Sequence, residues 1–250
     1  MEFTFGLIGK TLKHSFSQQY FNHKFERENL SQYKFANFEL PQISDIPELI
    51  KQHKSLLGFC ITIPFKKDII SYLNKAFSPV LEIDACNCVV LKNGTLIGYN
   101  TDVIGFKLSL VKKLKPHHQR ALILGTGGVA RAVKYVLEEL HIKYITISRT
   151  INENTYNYEQ LKKNFHLQDF PLIINCTPLG TYPHAETFPD INYEQINSQH
   201  LLFDLVYNPP LTAFLQRGQL QQAEILNGYE MLTIQAEENF KLWTSNLANC

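Results

Sequence analysis

The stretch ITIPFKKD, residues 61–68, sets two lysines directly after a proline that interrupts an alternating apolar run. Proline has no N–H for a strand ladder, so the strand LLGFCITI ends there and Lys66 and Lys67 stand where it emerges. The segment KKDIISYL then predicts a new helix. A lysine at such a point is either a solvated residue opening a helix or a placed proton donor, and the residue types leave both lysines open. Other polar positions share the first half of the chain. Ser15 and Ser17, in HSFS, carry hydroxyls at i and i+2 that point the same way in extended chain. They suit a small polyhydroxy or carboxylate ligand, although serines at a helix start also serve as caps. Asn87 lies among apolar neighbours in CNCVV, where a lone amide needs hydrogen-bond partners. Asp102 follows Asn100 and Thr101 and is either a lysine's partner or a first-turn carboxylate, with Thr101 as N-cap.

The segment ALILGTGGVARAV holds the most legible motif. A strand ends at Gly125, and Gly125-x-Gly127-x-x-Ala130 opens a helix, which is the pattern of a dinucleotide-binding turn. The first glycine makes the tight turn, the second lets backbone approach a pyrophosphate, and the small third residue lets helix and strand pack closely. Residues Gly125, Thr126, Gly127, Gly128, Val129 and Ala130 thus form the expected cradle, with the anion on the N–H groups of the helix start. The next strand ends in ISRT, so Ser148, Arg149 and Thr150 stand where an NAD binder has an acidic residue. No carboxylate follows until Glu153, and a guanidinium fork matches a 2′-phosphate, so NADP is favoured. The alternative for Arg149 is a solvated loop residue.

A nicotinamide cofactor gives a strand-end lysine a task, because it can exchange a proton with a substrate hydroxyl while the cofactor exchanges the hydride. Its ordinary pKa of ~10.4 is too high for that near neutrality. Burial and a positive nicotinamide ring lower it, and a neighbouring carboxylate raises it, so Asp102 would act by orienting the lysine or sharing its proton. The pH dependence would then belong to the pair.

These groups need a scaffold, and the elements that would position them alternate strand and helix, predicting an α/β protein with mainly parallel sheets. The strands read as FTFGLIG, YKFANFEL and LLGFCITI, then a hairpin turning at Asn93-Gly94, then RALILG, YITIS, LIINC and LLFDLVY. Helices read as SQQYFNHKFERE, DIPELIKQH, TDVIGFKLSLVKKL, Gly127–Leu140, YEQLKKNF, LTAFLQRGQLQ and a last amphipathic YEMLTIQAEENFKLWT that packs back on the first half. The domain boundary falls near 101, with a return near 228. A net charge of +1 without runs of one sign excludes an electrostatic case for nucleic acid or acidic membrane partners. No apolar run approaches the ~20 residues that span a bilayer. The N-terminus lacks the basic and apolar pattern of a secretory signal. The five cysteines are odd in number and mostly in strand-like surroundings, so they read as reduced thiols of a cytoplasmic protein. The scattered histidines offer no ligand pair, so no metal is expected.

The chain resembles the shikimate dehydrogenase family over its whole length. GLIGKTLKHSFSQQYFN is similar to the family's GxIGxPxxHSxSPxxHN, ITIPFKKD to VTxPxK, ACNCVV to AxNTxV and GYNTDVIGF to GxNTDxxGF. GTGGVARA is similar to GAGGAxRA, INCTPLGT to NxTPxGM, FDLVYNPPLTAFL to xDxxYxPxxTxxL, and the last helix to xGxxMLxxQxxxxFxxWxG. The resemblance implies an open α/β substrate-binding domain, residues 1–101 plus 229–250, and a Rossmann-like doubly wound NADP-binding domain, residues 102–228. It implies reversible reduction of 3-dehydroshikimate to shikimate with NADPH, NAD being a weaker cofactor, by a monomer or homodimer. Ser15 and Ser17 would bind the carboxylate, Thr62 would touch the same ligand, and Asn87, Asp102 and Gln235 would hold ring hydroxyls. Lys66 would be the catalytic lysine, paired with Asp102, and Lys67 an ordinary solvated one. Tyr207 would sit near the carboxylate and nicotinamide, and Gly228 would approach the nicotinamide through its backbone. Within the strand, Thr62 would face substrate while Ile61 and Ile63 pack the opposite face. The chain departs from the pattern at Lys10, Gln18, Phe21, Cys60 (an asparagine in the pattern) and Cys88, and SRTINE has one basic residue where the family has two. Rival readings are an NAD-dependent quinate/shikimate dehydrogenase and a catalytically silent nucleotide-binding module. A folate-type methylene dehydrogenase leaves HSFS and MLTIQ unexplained.

Overall fold

The computed structural model describes residues 2–12, 15–151 and 154–245. In chain order the first elements are β1 (Phe3–Gly9), α1 (Phe16–Arg27), β2 (Tyr33–Glu39), α2 (Ile46–Gln52), β3 (Leu56–Ile61), β4 (Lys75–Ala76), β5 (Cys88–Lys92) and β6 (Thr95–Tyr99). They are followed by α3 (Asp102–Val111), β7 (Arg120–Leu124), α4 (Gly128–Glu139), β8 (Lys143–Ile147), α5 (Tyr158–Asn164) and β9 (Leu172–Asn175). The chain closes with β10 (Leu201–Asp204), α6 (Ala213–Leu220), β11 (Glu224–Leu226) and α7 (Tyr229–Thr244). Two compact units divide it: residues 1–101 with 235–250, and residues 102–234.

The first unit is built on a six-stranded sheet of order β2-β1-β3-β5-β6-β4. β1 pairs parallel with β2 and β3, and the β5–β6 hairpin is added antiparallel to β3. Its central strands are apolar on both faces, as a sheet covered on both sides requires. On β3, Phe59 and Ile61 enter a core with Ile8, Ile46, Ile69 and Val89, whereas Cys60 turns to the opposite core with Phe5, Phe21 and Trp243. That period of two follows from the pleat. Trp243, at the end of α7, stacks on Phe5 at 4.9 Å and donates its indole N–H to the Val89 carbonyl at 3.1 Å. Lys24 of α1, itself buried, joins Glu237 of α7 at 3.0 Å. The second half of α7 is thereby fixed on the sheet and on α1.

The second unit is a five-stranded, wholly parallel sheet of order β11-β10-β9-β7-β8. Counted within this unit from β7, the order is 2-1-3-4-5, a doubly wound pattern whose direction reverses between β7 and β9. Ligands of such sheets bind outside the carboxyl ends of the strands at that reversal. The sequence boundary at 228 marks the start of α7. The opening of α7 stays with the second unit, because Glu230 pairs with Lys112 beyond α3, and the Gly228 N–H just before the helix donates to the Val206 carbonyl at 3.1 Å.

Three local expectations change. β3 ends at Ile61, because the Thr62 carbonyl accepts the Phe65 N–H at 3.0 Å and closes a turn. Ile63 therefore does not pack the far face of a strand and is 73% exposed. The segment after Lys67 makes one 3₁₀ turn, Asp68–Tyr72, instead of a full helix, and then supplies the short strand β4, pinned by Asn74 to Leu96. The three-residue strand β11 also completes the second sheet, where the sequence analysis reads no strand.

Candidate active site

In the first unit the candidate groups gather where β3 leaves the sheet. The Thr62 N–H donates to the Ile8 carbonyl at 2.9 Å, and the Ile61 N–H to the Asn87 carbonyl at 2.8 Å. Thr62 and Asn87 thus flank the last rung of the ladder. Phe65, 4% exposed, plugs into the core between them and anchors the turn. The next residue, Lys66, has its carbonyl bound by the Cys86 N–H at 2.7 Å, and its side chain is half-buried. Lys67 points outward to Asp84, 2.6 Å away, on the exposed surface. Burial therefore separates the two lysines that residue type could not.

The candidate amides are joined by one buried network. Asn87 Oδ1 accepts the Thr101 backbone N–H at 2.7 Å, and Asn87 Nδ2 donates to Thr101 Oγ1 at 3.1 Å. The Thr101 hydroxyl donates to Asn239 Oδ1 at 2.6 Å, and Asn239 Nδ2 donates to Gln235 Oε1 at 3.1 Å. Gln235, Asn239 and Trp243 follow one another at i+4 on the buried stripe of α7. Asn239 was missed in the sequence, although a polar residue four positions from Gln235 on an otherwise apolar stripe is the signal that finds it. Asp102, 8% exposed, directly follows Thr101 and opens α3 and the second unit. Ser15 and Ser17 do not share one extended stretch, because Ser15 keeps extended backbone whereas Ser17 is already helical. Ser15 caps α1 by accepting the Gln18 N–H at 3.2 Å, and Ser17 lies in the first turn of the helix, both half-buried.

In the second unit the glycine-rich turn follows β7 at the sheet's reversal point. Gly125 has φ +105°, and an added Cβ would crowd the Cys176 backbone at 3.2 Å, so no other residue fits without strain. Gly127 is different. It caps α4 with ordinary extended backbone, and a Cβ placed there would meet nothing within 4 Å. Glycine is a favoured N-cap, and the open space beside Gly127 leaves its backbone accessible. Thr126, Gly127 and Gly128 are exposed, Val129 half-buried and Ala130 buried against the sheet. The first N–H groups of a helix lack intrahelical partners and carry its positive dipole end, so the donor set suits a phosphate. After β8, the Ser148 Oγ accepts the Thr150 N–H at 3.3 Å, shaping a loop on which Arg149 and Thr150 are exposed. Glu153 lies outside the described residues.

The strand ends next to that turn hold a second buried network. Asp204, wholly buried at the end of β10, accepts Asn175 Nδ2 at 2.9 Å, the Val206 N–H at 3.0 Å and the Thr212 hydroxyl at 2.6 Å. Burial pushes its carboxyl up to about 6, against those three donors. Asn175 Oδ1 in turn accepts the Thr177 N–H and hydroxyl at 3.0 and 2.6 Å. The loops after β9 and β10 are thus tied together, and Tyr207, half-buried with its phenol pKa raised by burial, stands three residues past Asp204. Gly228 lies against this loop so tightly that a Cβ would fall 2.2 Å from the Leu205 carbonyl oxygen. Among the described residues no group of three or more histidine, cysteine or acidic side chains is placed to hold a metal, and no helix is long and apolar enough to cross a membrane.

Residues 7–89 match the family model described as the shikimate dehydrogenase substrate binding domain. The chain is 34% identical to a shikimate dehydrogenase (NADP(+)) of Clostridium botulinum over 98% of its length and 97% of the relative's. It is also 34% identical to a shikimate dehydrogenase (NADP(+)) of Methanococcus maripaludis, over 96% and 91% of the two chains. The crystal structure of the Thermus thermophilus shikimate 5-dehydrogenase in complex with NADP(H) and shikimate superposes with a TM-score of 0.83 at 26% identity, covering 97% of this chain and 94% of that one.

Proposed function

The chain belongs to the shikimate dehydrogenase family, and we propose that it reversibly reduces 3-dehydroshikimate to shikimate with NADPH, using Lys66 to move the proton. The observation that carries the residue assignment is the contrast in exposure between the two lysines: Lys66, next to the core anchor Phe65, is half-buried, whereas Lys67 is exposed beside Asp84 at the surface. A proton-transfer group must be shielded enough to act on a bound oxygen, and only Lys66 meets that requirement.

When bound, NADP supplies or takes the hydride at C3 of the ring. Its holders are Gly125, Thr126, Gly127, Gly128, Val129 and Ala130 for the pyrophosphate, and Ser148, Arg149 and Thr150 for the 2′-phosphate. Gly228 would approach the nicotinamide through its backbone. In the reducing direction the Lys66 ammonium gives a proton to the C3 oxygen as the carbonyl becomes a hydroxyl. In the oxidising direction the neutral amine takes the proton back. The family resemblance gives Asp102 the role of partner to Lys66, in which case the pH dependence of turnover would belong to the pair. Ser15 and Ser17 bind the substrate carboxylate, Thr62 contacts the same ligand, and Asn87, Asp102 and Gln235 hold the ring hydroxyls, with Tyr207 beside the carboxylate. The thiols Cys60, Cys86, Cys88 and Cys176 are buried and form no disulfide among the described residues, which supports a reducing cytoplasmic setting. The enzyme acts as a monomer or homodimer.

Steady-state kinetics on shikimate and on quinate, each with NADP and with NAD, test the proposal. The expected result is kcat/KM highest for shikimate with NADP. Comparable turnover of quinate, or better use of NAD, replaces it with the quinate/shikimate assignment that the single arginine of the SRTINE loop would then explain.

A further inference from the structure

We infer that the second unit carries a small anion-binding site at the amino ends of β7 and β8, built by Arg120 and Lys143 and suited to the phosphate of a small phosphorylated metabolite. A hollow of about 290 Å³ opens there, lined by Arg120, Lys143, Tyr144, Ile145 and Phe170. That volume is at the lower end for small-molecule sites. The pleat decides which side chains face it. Arg120 opens β7, Lys143 opens β8, and the parallel pairing sets the two in register. Side chains in register on neighbouring strands leave the sheet on the same face. Two positions further on, Leu122 and Ile145 pack in the core that contains Phe170, so Arg120 and Lys143 stand over the rim of that core. Tyr144 alternates to the opposite face, where its hydroxyl donates to Glu138 of α4 at 2.6 Å.

Like charges directly opposite one another in a sheet repel, and no neighbouring carboxylate relieves this pair. Among the described residues neither Arg120 nor Lys143 has an ion-pair partner, and the exposed Asp169 beside Phe170 pairs with neither. The Arg120 guanidinium carbon lies instead over the Phe170 ring, 4.7 Å from its centroid. Phe170 is 1% exposed and packed in the core, so it is a fixed platform for the guanidinium. A planar fork beside an ammonium matches an oxyanion. Two positive charges favour a dianion, and a phosphate monoester comes close to that charge near neutrality. The organic part of the ester lies against Ile145 and Phe170, the apolar wall of the hollow. The glycine-rich turn follows the other end of β7, about 13 Å along the strand, so this anion is not the one held at that turn.

Isothermal titration calorimetry of the full chain with phenyl phosphate tests the site. Wild type should bind it saturably with a Kd of about 1 mM or lower. Arg120→Gln and Lys143→Gln should each weaken binding about tenfold, the scale of one charge-assisted hydrogen bond. Both side chains are exposed, so neither change removes core packing, and an unshifted Tm checks that the fold is kept. Should one of the two variants not fold, the other is read against the same outcomes. Benzoate, with a single charge, should bind at least about fivefold more weakly than phenyl phosphate. Inorganic phosphate should bind about three- to tenfold more weakly, since it leaves Ile145 and Phe170 untouched. Arg149→Ala, in the loop after the carboxyl end of β8, should leave the Kd within about twofold, because its guanidinium is not part of this site. Absence of saturable binding up to about 10 mM overturns the inference. So does binding that the glutamine variants keep, that Arg149→Ala weakens as much as they do, or that benzoate or inorganic phosphate matches.

Discussion

Asp204→Asn tests the buried network at the ends of β9 and β10 through its dependence on pH. The carboxylate is wholly buried, and its pKa is raised from the ordinary 3.8 to about 6 by loss of hydration, despite hydrogen bonds from Asn175, Val206 and Thr212. A carboxyl group with a raised pKa holds its proton more tightly in the folded state than in the unfolded one. Between pH 3.8 and about 6 the folded state therefore binds more protons, and stability falls as pH rises through that window. At 1.36 kcal/mol per pH decade, the full gap corresponds to roughly 3 kcal/mol. Asparagine keeps the shape but does not titrate. The stability of wild type relative to Asp204→Asn, from urea unfolding curves at a series of pH values, should thus decline by roughly 3 kcal/mol from pH 3.5 to pH 7. Other titrating groups are common to both proteins and drop out of the difference. A difference that is flat across that range, or that grows with pH, refutes the reasoning, since the three hydrogen bonds would then outweigh burial and hold the carboxylate ionised.

Two further predictions concern the cofactor. Because a Cβ at Gly127 would meet nothing within 4 Å and its backbone is of ordinary extended form, Gly127→Ala should leave Tm unchanged within about 2 °C. It should nonetheless raise the NADP KM tenfold or more; equal affinity in the variant shows that no pyrophosphate approaches there. Arg149→Ala should raise the NADP KM by about ten- to a hundredfold while changing the NAD KM by less than about threefold. An equal effect on both cofactors removes Arg149 from the 2′-phosphate.

Much of the scaffold could be read from short-range pattern. The strand–turn–helix around Gly125 and Gly127 lies within a dozen residues, and the alternation of Phe59, Cys60 and Ile61 between two cores repeats the period of the pleat. What escaped the sequence depends on contacts between distant residues or on how the chain turns. Ile63 looked like a strand residue, but the turn closed by Thr62 and Phe65 lifts it into solvent. The strands β4 and β11 exist because neighbouring strands offer them partners, not because two or three residues specify a strand. Asn239 acquires its place from Thr101, 138 positions away, and from Cys60, 179 positions away. Asp204 appeared in the sequence only as a letter of a motif; its burial and its tie to Asn175 arise from parallel pairing of β9 with β10. Between the lysines, composition offered no choice, and what distinguishes them is exposure, Lys66 being half-buried and Lys67 exposed beside Asp84.

The most direct test of the account is the kcat of Lys66→Ala for shikimate oxidation by NADP at saturating concentrations of both. Removing a positioned acid–base group should lower kcat by roughly 10²–10⁴-fold, with the shikimate KM within about threefold of wild type, while Lys67→Ala remains near wild type. A Lys66→Ala enzyme that turns over within tenfold of wild type, or a Lys67→Ala enzyme with the larger loss, contradicts it.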